Sequence, residues 1–188
     1  MTTPTVPDRL LADRCVLVVV DIQERFRDLI HHMDEVMANT ERLVRFARIL
    51  DIPVLVTEHY PQGLGATAGE IAALWDDFRP IQKLHFSCCG CGDFNTALAD
   101  TGRDQVILCG IETHVCIYQT AADLRRQGLQ VAVAADAVSS CSRKNRKLGL
   151  NSLAELGVQC PGAQMIMFEI LERADDPRFR ELKDLLRE

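Results

Sequence analysis

The chain has 188 residues, of which 47% are hydrophobic and 26% are charged, and its formal net charge is −6. This length and apolar content suit one domain with a well-filled core, and no linker-like stretch divides residues 1–188. The negative charge and the lack of a basic cluster argue against nucleic acid or an anionic membrane as the main partner. We therefore expect a small-molecule ligand, no nucleic-acid partner and no membrane partner.

The sequence also bears on compartment and on the state of its thiols. No apolar segment approaches the roughly 18 residues that span a bilayer, and the first residues lack the charged and apolar regions of a signal peptide. These features predict a cytoplasmic protein. A core-rich chain of this kind needs no disulfide framework, so we expect its eight cysteines to be reduced thiols.

The first half of the chain alternates strand and helix patterns. Cys15–Val20 is a continuous run of apolar residues, as is typical of a central parallel strand covered on both faces, and Asp21 ends it. Apolar residues at helical spacing over 33–50 predict a helix, which stops before Pro53. A second strand is predicted at 54–57.

The remainder continues the same alternation. Residues 58–82 are less regular, with a short helix predicted near 68–75, and we expect them to wrap a pocket. Four more strands are predicted, at 81–84, 106–109, 131–135 and 164–168. A helix begins near Cys116, Ser142 is placed to cap a helix running to about 156, and Pro177 is expected to open a terminal helix.

These elements predict an α/β protein, a three-layer α/β/α sandwich with a mainly parallel, six-stranded, Rossmann-like sheet. In such sheets ligands bind beyond the carboxyl ends of the strands. Asp21, Lys83 and the turn from Gly110 to Cys116 all fall at those ends. The sequence therefore predicts that they share one site.

Cys116 is the candidate nucleophile. It stands where a helical pattern begins, and the unpaired N–H groups and aligned dipoles of a helix start favour a thiolate. Each candidate also has a structural alternative. Cys116 fits a small buried hydrophobe, Asp21 a helix cap or structural ion pair, and Lys83 a solvated surface lysine.

Three motifs together favour the catalytic interpretation. They are Asp21 at the end of the first strand, Lys83 in Gln-Lys-Leu-His-Phe-Ser, and Gly-Ile-Glu-Thr-His-Val-Cys ending at Cys116. In this order and spacing, over residues 15–168, the chain resembles the isochorismatase-like cysteine hydrolases. The stretches 21–26 and 57–65 are most similar to the isochorismatase domain-containing subgroup.

The resemblance implies roles for the site residues. Cys116 would be the nucleophile, Asp21 the base that accepts its proton and returns it to the leaving amine, and Lys83 the cation that orients both. It also implies a cis peptide bond between Ile111 and Glu112, with the backbone amides of Glu112 and Cys116 forming an oxyanion hole. Members commonly form dimers or tetramers, so a homo-oligomer is expected.

The resemblance favours hydrolysis of a small-molecule C–N bond, amide or carbamoyl, through a covalent thioester. Ester or thioester cleavage would use the same machinery. Nicotinamidases of this superfamily bind a metal through an Asp-x-His motif and a further histidine, whereas the equivalent stretch here, 57–60, reads Thr-Glu-His-Tyr. We therefore expect no metal and no cofactor. Isochorismatase proper cleaves a vinyl ether and typically lacks the nucleophilic cysteine.

Other residues are weaker candidates. Six side chains near the motifs could contact substrate, although each also fits a core or surface position: Gln23, Phe26, His59, Tyr60, His85 and Phe86. His114 is assigned a structural role, because two residues before Cys116 on a forming helix it would not face the thiol.

A functional alternative comes from Cys88-Cys-Gly-Cys91. Its C-x-x-C spacing is also found in redox pairs and zinc sites, which leaves open a non-catalytic redox-sensing or metal-binding thiol protein. Loss of catalysis on Cys116→Ala, with retention on Cys91→Ala, would separate the two functions.

Overall fold

The computed structural model describes residues 8–187. Five parallel strands form one sheet in the order β3-β2-β1-β4-β5. The strands are β1 (Cys15–Val20), β2 (Val54–His59), β3 (Ile81–Lys83), β4 (Gln105–Ile111) and β5 (Gln130–Ser139).

Helices cover both faces of this sheet. They are α1 (Met33–Ile49), α2 (Pro61–Leu64), α3 (Gly69–Ala72), α4 (Gly92–Asp100), α5 (Tyr118–Arg126), α6 (Arg143–Glu155), α7 (Ala163–Leu171) and α8 (Phe179–Leu182). Short 3-10 turns lie at Glu24–Phe26 and Cys88–Gly90. None of the helices within residues 8–187 combines the length and apolarity required to cross a bilayer.

The central strand β1 shows how the layers arise. Successive side chains of a strand point to opposite faces. Leu17 and Val19 pack in one core cluster with residues of α1 and α7, whereas Val16 and Val18 pack in a second cluster with residues of α4, α5 and α6. Because both faces of β1 are buried, its sequence is apolar at every position. The expected α/β class and parallel sheet are thus confirmed.

The prediction of a sixth strand at 164–168 is wrong. These residues belong to α7, whose buried positions Ala163, Ile166, Met167, Ile170 and Leu171 follow helical spacing. A short apolar run does not by itself distinguish a strand from one side of a buried helix. Within residues 8–187, the sheet continues beyond β5 only through a single parallel bridge, between Ala132 and Gln159.

Two helix starts also differ from expectation. Cys116 lies in one π-helical turn, Thr113–Ile117, and the α-helix proper begins at Tyr118. The terminal helix α8 begins at Phe179, after the αR residue Arg178. The cap at Ser142 is confirmed, because its Oγ accepts a hydrogen bond from the Asn145 amide at 3.1 Å.

Candidate active site

The parallel sheet brings three chain-distant side chains to one edge. Asp21 follows β1, Lys83 is the last residue of β3, and Cys116 lies in the turn after β4. Strand pairing aligns the strand ends that hold these side chains. Val20 of β1 pairs with Gly110 of β4, and His59 of β2 pairs with Lys83 of β3.

Asp21 and Lys83 form a buried ion pair. Lys83 Nζ lies 2.6 Å from Asp21 Oδ2, and the two side chains are only 0% and 2% exposed. The other carboxylate oxygen, Oδ1, accepts a hydrogen bond from Thr57 Oγ1 at 2.7 Å. The ammonium also donates to the carbonyl oxygens of His85 and Phe86, each at 3.2 Å. Both charged groups are therefore hydrogen-bonded on several sides, as a buried ion pair requires.

The ammonium of Lys83 is held in its charged form. Burial alone would lower the pKa of Lys83, but the Asp21 carboxylate outweighs it and raises this pKa above its ordinary value. Lys83 is consequently a permanent cation beside Asp21 at physiological pH.

The Cys116 thiol is held in its neutral form. Burial raises the pKa of Cys116 above its ordinary value, and the negative charge of Asp21 raises it further, while Lys83 acts in the opposite direction. The expectation that the helix start would favour a thiolate here is thus not met, because burial and the charge of Asp21 outweigh it. The arrangement places a protonated sulfur in the same cavity wall as the Asp21 carboxylate.

The turn that carries Cys116 depends on close backbone packing. Gly110 has φ 113°, and a Cβ there would lie 2.1 Å from the Val20 carbonyl oxygen, so only glycine fits between β1 and β4 at this point. The following Ile111–Glu112 peptide bond is cis. Gly149 of α6 touches the other side of the turn, where a Cβ would lie 2.9 Å from the His114 nitrogen.

A small cavity of about 70 Å³ lies in front of these groups. Its walls combine the carboxylate and thiol with apolar and aromatic side chains: Asp21, Phe26, His59, Phe86, Ile111, Glu112, Val115 and Cys116. Lys83 does not line the cavity and stands behind Asp21. Since a water molecule occupies roughly 30 Å³ in the liquid, the cavity admits only a small reacting group.

Comparison with known proteins identifies the family of this chain. The family model of the isochorismatase domain matches residues 15–164. The chain belongs to the isochorismatase domain family. Isochorismatase domain-containing protein 2 of Rattus norvegicus is 38% identical over 181 residues, which cover 96% of this chain and 84% of that protein.

Solved structures of similar fold extend the comparison. The MAR1 ribonuclease of Caenorhabditis elegans has a TM-score of 0.89 and 35% identity, with coverage of 95% of this chain and 92% of that one. The YcaC gene product of Escherichia coli, described as an octameric hydrolase of unknown specificity, has a TM-score of 0.88, 24% identity and coverage of 98% and 91%. At that identity the second comparison shows the shared fold alone.

Three of the six proposed substrate contacts line the cavity of this isochorismatase domain, namely Phe26, His59 and Phe86. The rings of His59 and Phe86 pack with their centroids 5.2 Å apart. Burial lowers the pKa of His59, and the nearby Lys83 lowers it further, so the imidazole in the cavity wall is neutral.

The other three lie elsewhere. The Gln23 side chain is buried and hydrogen-bonds the backbone of His59 and Gly65, which ties β2 to the loop that follows. Tyr60 is half exposed, and its ring covers Gly63. His85 lines a larger open groove of about 620 Å³ next to α5, which contains none of the three motif side chains.

The C-x-x-C segment contributes one buried residue to the back of the site. Cys88 is fully buried, and its sulfur lies 3.9 Å from Thr57 Oγ1. Burial is the main cause that raises the pKa of Cys88, and it raises the pKa of Cys89 to about 11, so both thiols rest in the neutral form. Among residues 8–187 neither joins a cluster of three possible metal ligands.

Sequence reasoning missed two residues that hydrogen-bond to residues of the site, Thr57 to Asp21 and Cys141 to Glu112. Thr57 ends the predicted second strand at the same sheet edge as Asp21, and the parallel register could have identified it as a partner of that carboxylate. Cys141 comes near Glu112 through a loop after β5, and no local sequence signal marks that approach.

We predict that Gly110→Ala destabilises the domain by more than about 2 kcal/mol, because the new methyl group meets fixed backbone at a positive φ. Gly128→Ala is the matched control. Gly128 also has positive φ (86°) but open space around it, so only the backbone preference of about 1 kcal/mol is lost. Urea unfolding compares the two, and equal losses would contradict the proposed close approach.

Proposed function

We propose that this protein is a cysteine-dependent hydrolase of a small-molecule C–N bond, in an amide or carbamoyl group. The proposal rests on one observation: Cys116 and Asp21 line the same small cavity. Lys83 forms an ion pair with Asp21 on the side away from this cavity. Membership of an isochorismatase-like hydrolase family supports it.

The first half-reaction forms a thioester. The Cys116 sulfur attacks the substrate carbonyl carbon while its proton moves to Asp21, and the carbonyl oxygen takes up the electron pair as an oxyanion. We assign the backbone N–H groups of Glu112 and Cys116, both residues of the cavity wall, as its hydrogen-bond donors. When the tetrahedral intermediate collapses, the C–N bond breaks and the proton on Asp21 passes to the leaving amine.

The second half-reaction restores the enzyme. Water attacks the thioester carbonyl and gives a proton to Asp21, the same amides stabilise the second oxyanion, and the C–S bond breaks. The sulfur then regains its proton from Asp21, and the acid product leaves. Throughout, the Lys83 ammonium and the Thr57 hydroxyl hold the carboxylate in place.

The size of the cavity argues for a small substrate. Its aromatic and aliphatic walls suit an uncharged group next to the scissile carbonyl, with Phe26, His59 and Phe86 as contacts. Gln23, Tyr60 and His85 are not in contact with this cavity, and we assign them to positioning the surrounding loops.

A ribonuclease activity is the second candidate, because a relative with 35% identity carries that name. The net charge of −6 opposes it, since RNA binding depends on cationic side chains that pair with phosphates. The deciding experiment assays small amides, ureides, carbamates and a single-stranded RNA in parallel, with Cys116→Ala as the blank. Turnover of RNA alone would contradict the proposal.

Asp21→Asn should lower turnover of the substrate so identified by about 10²- to 10⁴-fold, because it removes the group that carries the proton. It also leaves Lys83 buried without a counter-charge, so a lower melting temperature is expected. Activity is therefore measured below the melting temperature of the variant. Asp13→Asn, at an exposed position, is the control and should retain full activity; turnover by Asp21→Asn at the control rate would exclude the proposed base.

Hydrolysis should not depend on a metal, because the proposed mechanism uses only protein groups. Treatment with a strong chelator followed by dialysis should leave kcat/KM unchanged. A loss of rate that zinc or iron restores would contradict the mechanism.

We further propose a small-molecule partner and assembly into a homo-oligomer. The description of the E. coli neighbour as an octamer is consistent with this proposal. Half-exposed Tyr60, in the irregular segment 58–80, is a candidate interface residue. Light scattering at micromolar concentration should give a multiple of the 21.0 kDa chain mass, and a monomer mass would contradict the expectation.

A further inference from the structure

Three possible metal ligands meet beside the turn that carries Cys116. Glu112 and His114 belong to this turn, and Cys141 comes from the loop between β5 and α6. One ligand atom from each lies within 4.8 Å of the other two, and no other such trio occurs in residues 8–187. None of these three side chains takes part in the proposed hydrolysis, which uses only the backbone amide of Glu112.

We propose that Glu112, His114 and Cys141 bind a thiophilic divalent cation of the Zn²⁺ class, with water as the fourth ligand. Zinc binds sulfur at about 2.3 Å and nitrogen or oxygen at about 2.0–2.2 Å in tetrahedral geometry, which places neighbouring ligand atoms roughly 3.3–3.7 Å apart. The distance from His114 Nδ1 to Glu112 Oε2 is already 3.9 Å. Small side-chain movements would complete the set.

Neighbouring groups already hold these side chains in place. The Cys141 N–H donates to Glu112 Oε2 at 2.7 Å, and Ser140 Oγ lies 3.0 Å from His114 Nδ1, a contact that the ion would replace. Asn145 Nδ2 donates to Cys141 Sγ at 3.4 Å. Groups that hydrogen-bond to metal-binding side chains hold those side chains in the right direction and strengthen metal binding.

The chemistry of the donors selects the class of ion. One thiolate, one imidazole and one carboxylate suit zinc or cobalt, whereas magnesium and calcium prefer oxygen ligands alone. The carboxylate and the thiolate balance a double positive charge. Cys141 is exposed, which gives the ion a path of entry.

Binding would connect two segments that now meet through hydrogen bonds. Glu112 and His114 lie on the turn after β4, while Cys141 precedes α6, so the ion would join the Cys116 turn to the adjacent loop. An ion that binds only the folded chain raises its free energy of unfolding with the logarithm of the ion concentration divided by the dissociation constant, once the site is mostly occupied. The site thus predicts a metal-dependent melting temperature, independent of any hydrolase activity.

The test uses Co²⁺ as the probe and the full chain, reduced and freed of metal. Wild-type protein should bind one Co²⁺ with a thiolate-to-cobalt charge-transfer band in the near ultraviolet, and Zn²⁺ should displace it. Cys141→Ser should remove this band. Cys160→Ser, which alters a half-buried thiol elsewhere, is the matched control and should retain it.

Two more variants complete the experiment. His114→Ala should weaken Co²⁺ binding more than tenfold, and Cys116→Ser should keep the band, because the catalytic thiol is not a ligand. Zn²⁺ should raise the melting temperature of the wild type and not that of Cys141→Ser. The proposal is overturned if the wild type shows no band at saturating Co²⁺, if the band survives Cys141→Ser, or if Cys116→Ser abolishes it.

Discussion

The arrangement of the site depends on the buried ion pair between Asp21 and Lys83. Moving either charge from water into the protein costs several kcal/mol, and this cost is offset only where the partner and further hydrogen bonds are in place. Thr57 and the carbonyl oxygens of His85 and Phe86 supply those hydrogen bonds. The ends of β1, β2 and β3 are therefore fixed relative to one another by electrostatics as well as by sheet pairing.

The remaining member of the site is positioned by backbone packing. Gly110 lets β4 approach the Val20 carbonyl more closely than any side chain would permit, and Gly149 lets α6 rest on the backbone of Thr113 and His114. The turn that holds Cys116 is thus enclosed from both sides by positions where a Cβ does not fit. Close backbone packing at two glycines therefore fixes the position of this turn, whereas the ion pair with Lys83 fixes the position of Asp21.

Sequence patterns predicted the parts of this molecule that local chemistry determines. The apolar run Cys15–Val20 was recognisable because both faces of β1 are buried, and the three motifs located Asp21, Lys83 and Cys116 at strand ends. The prediction of a sixth strand was wrong because α7 is buried enough to be apolar over several consecutive positions. The approach of Cys141 to Glu112 and the raised pKa of Cys116 arise from tertiary packing, which no short window of sequence contains.

The protonation state of Cys116 links this packing to chemistry. A thiolate next to the Asp21 carboxylate would place two negative charges together in a poorly solvated cavity, and Lys83 can compensate only one of them. The sulfur therefore rests as a thiol, a form less reactive than the thiolate toward oxidants and adventitious electrophiles. In the proposed mechanism, transfer of its proton to Asp21 becomes favourable only when negative charge can pass to a carbonyl oxygen held by the Glu112 and Cys116 amides. The buried ion pair would thus keep the sulfur unreactive until a substrate carbonyl is in place.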